Sequence, residues 1–227
     1  MRERFDVVVF DWDGTVIDST GTIARSIMAA AADVGLPVPD FEQASHVIGL
    51  GLRDALARAV PGLTPDRINE FSARYRFHYF AAEDTLALFA GAREFINALR
   101  TSGARLAIAT GKSSPGLQRA LEATGLTASF EATRCADQTH PKPHPAMLLE
   151  LSEEMAVPTD RMLMIGDTTH DLQMAQSAQV PAIGVTYGAH PREQLAALQP
   201  LALVDSMAQL HALLLPARVH SSGESRG

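Results

Sequence analysis

The sequence predicts an α/β protein, a doubly wound parallel sheet interrupted by an all-helical insertion. Three observations predict it. Short apolar runs alternate with helical segments, the rhythm of βαβ units. The first run, Val7-Val8-Val9-Phe10, ends in Asp11-Trp12-Asp13-Gly14-Thr15, as a buried parallel strand does when it leaves the sheet at its carboxyl end. Between about residues 17 and 89 no strand pattern intervenes, so a helical block separates the first strand from the rest.

Inside that block Ile23, Ile27, Met28, Ala31 and Val34 recur at helical spacing, and Gly35-Leu36-Pro37 stops the helix. Asp40 with Gln43 has the form of a capping box. Residues 53–60 carry a further helix, and Thr64-Pro65 opens a long one to about residue 80. From Gly91 the βαβ texture takes over. Strands are expected at 106–109, 130–133, 162–165, 182–185 and 201–204, with helices ending near Arg100 and spanning 115–124, 145–156 and 171–178. Right-handed crossovers make such a series a parallel sheet. The expected division is a core of 1–16 and 90–216, an insertion of 17–89 and a frayed polar tail of 217–227.

The 227 residues, 46% of them hydrophobic, are enough for a full core. A net charge of −7 argues against a nucleic-acid partner, which requires a clustered excess of Lys and Arg. Small anionic substrates need only local positive charge. The single cysteine, Cys135, cannot form an internal disulfide and is expected to be buried. The first residues mix charges and precede too short an apolar run for a signal peptide, and no run suits a bilayer. The expectation is a cytoplasmic enzyme without a membrane partner; no oligomeric state is assigned.

Ligands of open α/β sheets bind beyond strand carboxyl ends, where Asp11 and Asp13 stand. Neighbouring carboxylates repel unless a cation or shared proton reconciles them, and hard oxygens suit Mg²⁺. The alternative is a turn at Asp13-Gly14 with Asp11 satisfied by backbone donors. After the 106–109 strand, Thr110-Gly111-Lys112-Ser113-Ser114 offers a hydroxyl, open N–H groups and an ammonium to a phosphate, or else simply caps a helix. Lys142 lies among prolines in His140-Pro141-Lys142-Pro143-His144-Pro145, either fixed near a phosphate or solvated. Ile165-Gly166-Asp167 ends another strand in acid, and Asp171 follows on a helix start, where acids also serve as ordinary caps. His170 reads as a surface residue or one behind the ligands, and His46 as a bystander.

These motifs, Asp11-Trp12-Asp13-Gly14-Thr15, Thr110 with Lys112, Lys142-Pro143, and Gly166-Asp167 with Asp171, occur in the order of the haloacid dehalogenase superfamily. The chain resembles its phosphatases with a helical cap after the first strand, over about residues 5–214. The resemblance implies that the strands carrying Asp11 and Asp167 are neighbours and that Asp11, Asp13 and Asp167 hold Mg²⁺, with Asp171 behind a metal-bound water. It implies Asp11 as nucleophile, forming an aspartyl-phosphate. Asp13 is implied as general acid, then base. Thr110, Lys142, Gly14, Thr15, Gly111 and Lys112 are expected around the phosphoryl group. Ile48-Gly49-Leu50-Gly51-Leu52-Arg53 resembles the cap loop of phosphoglycolate phosphatases, which puts Arg53 either over a substrate carboxylate or on a solvated face. Position 111 departs from the Thr-Asn-Lys common in those enzymes.

The expected activity is Mg²⁺-dependent hydrolysis of a small phosphate monoester, with 2-phosphoglycolate a candidate. A sugar phosphomutase of the same superfamily is the alternative, with nucleotidase or pyrophosphatase behind it. A phospho-accepting receiver domain shares the acid cluster but lacks a long helical insertion after its acidic strand.

Overall fold

In the computed structural model, which describes residues 4–215, the β-branched run of β1 (Val7–Phe10) lies at the centre of a six-stranded sheet. The other strands are β2 (Arg105–Thr110), β3 (Ala132–Cys135), β4 (Met162–Gly166), β5 (Ala182–Val185) and β6 (Ala202–Val204). Their order is β3-β2-β1-β4-β5-β6 and every pairing is parallel. Chain order runs outward from β1 to β3, then crosses to β4 on the opposite side. The crevice of such a reversal opens between β1 and β4. Phe10 is in register with Ile165 there, so the residues that follow, Asp11 and Gly166-Asp167, emerge side by side.

Strand alternation divides β1 between two apolar layers. Val8 and Phe10 join Phe95, Ile96 and Leu99 of α5 (Ala92–Thr101), Leu117 and Leu121 of α6 (Ser114–Thr124), and Met207, Leu210 and Leu214 of α10 (Met207–Leu214). Val7 and Val9 join Leu148 and Leu151 of α7 (Ala146–Glu154), Leu172 of α8 (Thr169–Ser177) and Leu195 of α9 (Arg192–Ala196). Cys135 is buried as expected, and burial pushes its thiol up to about 12.

Between β1 and α5 stand the four helices of the insertion: α1 (Thr20–Asp33), α2 (Phe41–His46), α3 (Leu52–Ala59) and α4 (Ile68–Glu83). They bury a cluster of their own, including Ile27, Leu56, Phe71 and Tyr75. The Asp40–Gln43 capping box is present in both directions, at 2.7 and 3.1 Å. The Thr64-Pro65 helix start is replaced by a turn in which Arg67 N–H donates to Thr64 O, and α4 begins at Ile68. The two chain passes joining these helices to the sheet meet at an antiparallel bridge, Ile17 to Leu88.

The third strand lies two residues later than expected. The short α9 and the final α10 were not anticipated, although Met207, Leu210 and Leu214 have helical spacing behind a Ser206 cap. Residues 1–3 and the tail 217–227 lie outside the described residues. Among the described residues no helix is long and apolar enough to cross a membrane.

Candidate active site

Asp11 is the first residue past β1, tied to β4 by its N–H donating to Ile165 O at 2.9 Å, and its side chain is buried. Buried Lys142 reaches it from the proline-rich loop: Nζ donates to Asp11 Oδ1 at 2.6 Å and lies 2.6 Å from Asp171 Oδ1. Asp11 Oδ2, also buried, has no hydrogen-bond partner. Oxygens of Asp11, Asp167 and Asp171 lie within 4.8 Å of one another. Burial, then the charges of Asp171 and Asp167, raise the Asp11 pKa well above the ordinary carboxylate range despite Lys142. Burial and Asp171 push Asp167 up to about 7. Burial opposes the charge of Lys142, but Asp11 and Asp171 outweigh it and hold its pKa above the ordinary lysine value. One lysine shared among three buried acids leaves excess negative charge, and a divalent cation is what an all-oxygen cluster of this kind fits.

Asp167 is oriented by donors that sequence reasoning did not foresee. Thr15, expected on a phosphate, donates its hydroxyl to Asp167 Oδ1 at 2.9 Å, and the Ala189 N–H donates to Oδ2 at 2.7 Å. A Cβ at Gly14, whose φ is +81°, or at Gly188 would stand 2.2 Å from Asp167 Oδ2. Gly14 and Thr15 thus pack around the acid, whereas both were expected to face the substrate. Asp171 completes a capping box with Thr168, accepting from its N–H and hydroxyl through Oδ2 while Oδ1 faces Lys142. The capping expectation for Asp171 is met, and the same side chain also pairs with Lys142.

Asp13 Oδ1 accepts from Ser19 Oγ at 2.7 Å and from Lys112 Nζ at 3.1 Å. Lys112 also donates to the Tyr79 hydroxyl of α4 at 3.0 Å, so this lysine, expected on a phosphate, bridges Asp13 and the helical insertion. No polar role for Ser19 or Tyr79 is legible in the sequence; Ser19 precedes α1 without a side-chain cap bond, and Tyr79 sits in an aromatic run that reads as core of the insertion. Buried Thr110 ends β2, its Oγ1 accepting the Lys112 N–H at 3.2 Å.

Asp11, Asp13, Thr110, Gly111 and Lys112 line one cavity of about 670 Å³, whose other wall comes from the insertion. Arg53 is on that wall, exposed, with Nη1 donating to Asn69 Oδ1 at 2.9 Å. Gly111 has a local reason: a Cβ there would stand 2.5 Å from Leu50 O and 2.7 Å from Gly49 O of the loop above it.

His170 is buried, contrary to the surface reading. Nitrogens of His46, His170 and His190 lie within 4.8 Å of one another, and the rings of His170 and His190 already have hydrogen-bond partners. His190 Nδ1 accepts from Thr169 N–H at 3.0 Å, and Nε2 of His190 and of His170 lie 3.0 and 3.2 Å from His46 O. They fasten α2 to α8 and to the loop after β5.

A family model described as haloacid dehalogenase-like hydrolase matches residues 8–185. A protein named probable phosphatase IndB, from Dickeya dadantii, is 34% identical over 92% of this chain and 94% of its own. A phosphoglycolate phosphatase of Aliivibrio fischeri is 32% identical over 96% of this chain and 100% of its own. The crystal structure of a predicted phosphoglycolate phosphatase from Haemophilus somnus superposes with a TM-score of 0.83 at 29% identity, covering 92% of this chain and 98% of that one. The extent of these matches, joined to the strand order and the acids it brings together, makes this chain a member of the haloacid dehalogenase-like hydrolase family and one of its phosphatases.

Proposed function

We propose that the chain hydrolyses a small phosphate monoester with Mg²⁺, through an aspartyl-phosphate on Asp11. One observation carries the reading: Asp11 is held by Lys142 through Oδ1 while the buried Oδ2 is left without a hydrogen bond, in a cavity shared with Asp13 and Thr110. An oxygen in that state is available to a cation or to phosphorus. Asp11 and Asp167, with the main-chain carbonyl of Asp13, would hold Mg²⁺. When bound, the ion neutralises charge on the phosphoryl oxygens and removes their repulsion from the attacking carboxylate.

In this reading a carboxylate oxygen of Asp11 bonds to phosphorus as the ester oxygen departs, taking a proton from Asp13. Asp13 then takes a proton from water, which attacks phosphorus, releases phosphate and restores Asp11. Lys142 fixes the Asp11 carboxylate for attack, and Thr110 with the Gly111 N–H receives phosphoryl oxygens. Residues 17–89 act as a cap over the crevice, and residues 1–16 with 90–216 as the catalytic core. The names of the relatives make 2-phosphoglycolate the first ester to assay.

The test is hydrolysis of an aryl phosphate with Mg²⁺, with a chelator, and by Asp11→Asn. Phosphate release that requires the metal and vanishes in Asp11→Asn is expected; release that survives the substitution rejects the nucleophile.

A further inference from the structure

We infer that the ester taken by this site has a leaving group bulkier and more apolar than a two-carbon acid, an alcohol whose body is an apolar ring. The inference rests on the phosphatase reading above and concerns the wall that the insertion gives the same cavity. Asp11, Asp13 and Thr110 line a space of about 670 Å³, well inside the range of roughly 300–1,000 Å³ typical of sites for drug-sized ligands. A water's share of liquid volume is about 30 Å³. A phosphate with a two-carbon tail would therefore leave most of the space to solvent.

The wall contributed by the insertion does not suit solvent. Ile23 and Ile27 of α1, Leu50, Leu56 of α3, and Tyr75 and Tyr79 of α4 line it. The two tyrosine rings stack on each other with centroids 5.9 Å apart and planes at 25°, and Lys112 Nζ lies 4.9 Å from the Tyr79 centroid, so the wall carries aromatic carbon against which an apolar ligand ring packs. Among the polar side chains of the wall, Arg53, Asp54, Asn69 and Arg76 lie exposed, with Arg53 donating to Asn69, and buried Ser72 donates to the Ile68 carbonyl. A ligand with an apolar body and a polar outer end matches that distribution.

A glycolate carboxylate would instead need a cation close to the phosphoryl group. Lys112, the basic residue on the loop that carries Thr110 and Gly111, is already committed to Asp13 at 3.1 Å and Tyr79 at 3.0 Å. Of the other basic residues on the cavity, Arg119 stacks on Phe80 and lies 3.9 Å from Glu83, while Arg53 and Arg76 belong to the insertion and are exposed.

The experiment is a series of kcat/KM values with Mg²⁺ for 2-phosphoglycolate and for methyl, propyl, cyclohexylmethyl and benzyl phosphates, each also assayed with Asp11→Asn. The expected result is a rise of about fourfold per buried methylene, with benzyl and cyclohexylmethyl phosphates above 2-phosphoglycolate by tenfold or more. Asp11-dependent hydrolysis in which 2-phosphoglycolate equals or exceeds the ring esters overturns this inference and leaves the phosphatase reading standing. Absence of Asp11-dependent hydrolysis across the whole series overturns both.

Discussion

The Tyr79 hydroxyl of α4 accepts a hydrogen bond, 3.0 Å long, from Lys112, whose ammonium also donates to Asp13 at 3.1 Å. A helix of the insertion is thereby coupled to the proposed acid–base residue through one lysine. In Tyr79→Phe the ring keeps its packing and Lys112 loses an acceptor. A hydrogen bond to a charged group contributes about 1.5–3 kcal/mol to stability, so the thermal midpoint should fall by several degrees, and kcat should fall roughly tenfold as the lysine beside Asp13 loses its second anchor. Steady-state kinetics beside a melting curve checks this; unchanged kcat would show that Lys112 is held by Asp13 alone.

Lys142 is the cation shared by Asp11 and Asp171. Lys142→Met keeps much of its volume but leaves buried acids unpaired, which costs about 3–5 kcal/mol. Urea denaturation of the metal-free protein at neutral pH should show that loss. Adding Mg²⁺ should recover part of it, since a ligand bound only by the folded state stabilises it.

The Asp167 carboxyl is raised to about 7 in the fold, against about 3.9 in an unfolded chain. The folded metal-free protein therefore binds the proton more tightly than the unfolded one. Its contribution to stability is present below about pH 4 and is lost as pH rises through about 7. Mg²⁺ competes with that proton, so calorimetric affinity for Mg²⁺ should climb with pH and level off above about 7. Affinity that stays flat across this window would remove Asp167 from the ligand set.

Gly111→Ala places a methyl group 2.5 Å from the Leu50 carbonyl, against backbone that cannot swing aside as a side chain does. A cost of about 1–3 kcal/mol is expected from overpacking, with a raised KM as the 49–51 loop shifts. Denaturation midpoints and KM measured on one preparation test both parts.

Much of this architecture is legible in the amino-acid order. Strands buried on both faces become continuous apolar runs, so β1, β2, β4 and β5 stand out, as do the acids after β1 and β4. What escapes is pairing that depends on turns. Thr15 sits two residues from Asp13 yet turns to Asp167, and the Gly188-Ala189 backbone wraps the same carboxylate from the loop after β5. Tyr79 has no polar signature in an aromatic helix, because its partner lies 33 positions away. Asp11 and Asp167 as neighbours followed from family resemblance and not from spacing, since strand order is a property of the assembled sheet.

Helices α1 to α4 shelter their own apolar cluster, and the two strands of chain leading to them touch at Ile17 and Leu88. Mutations that reshape Ile23, Ile27 or Leu56 consequently leave the packing of the sheet, and the carboxylates it aligns, undisturbed. Recognition of the alcohol can drift across generations while the chemistry at phosphorus is inherited intact.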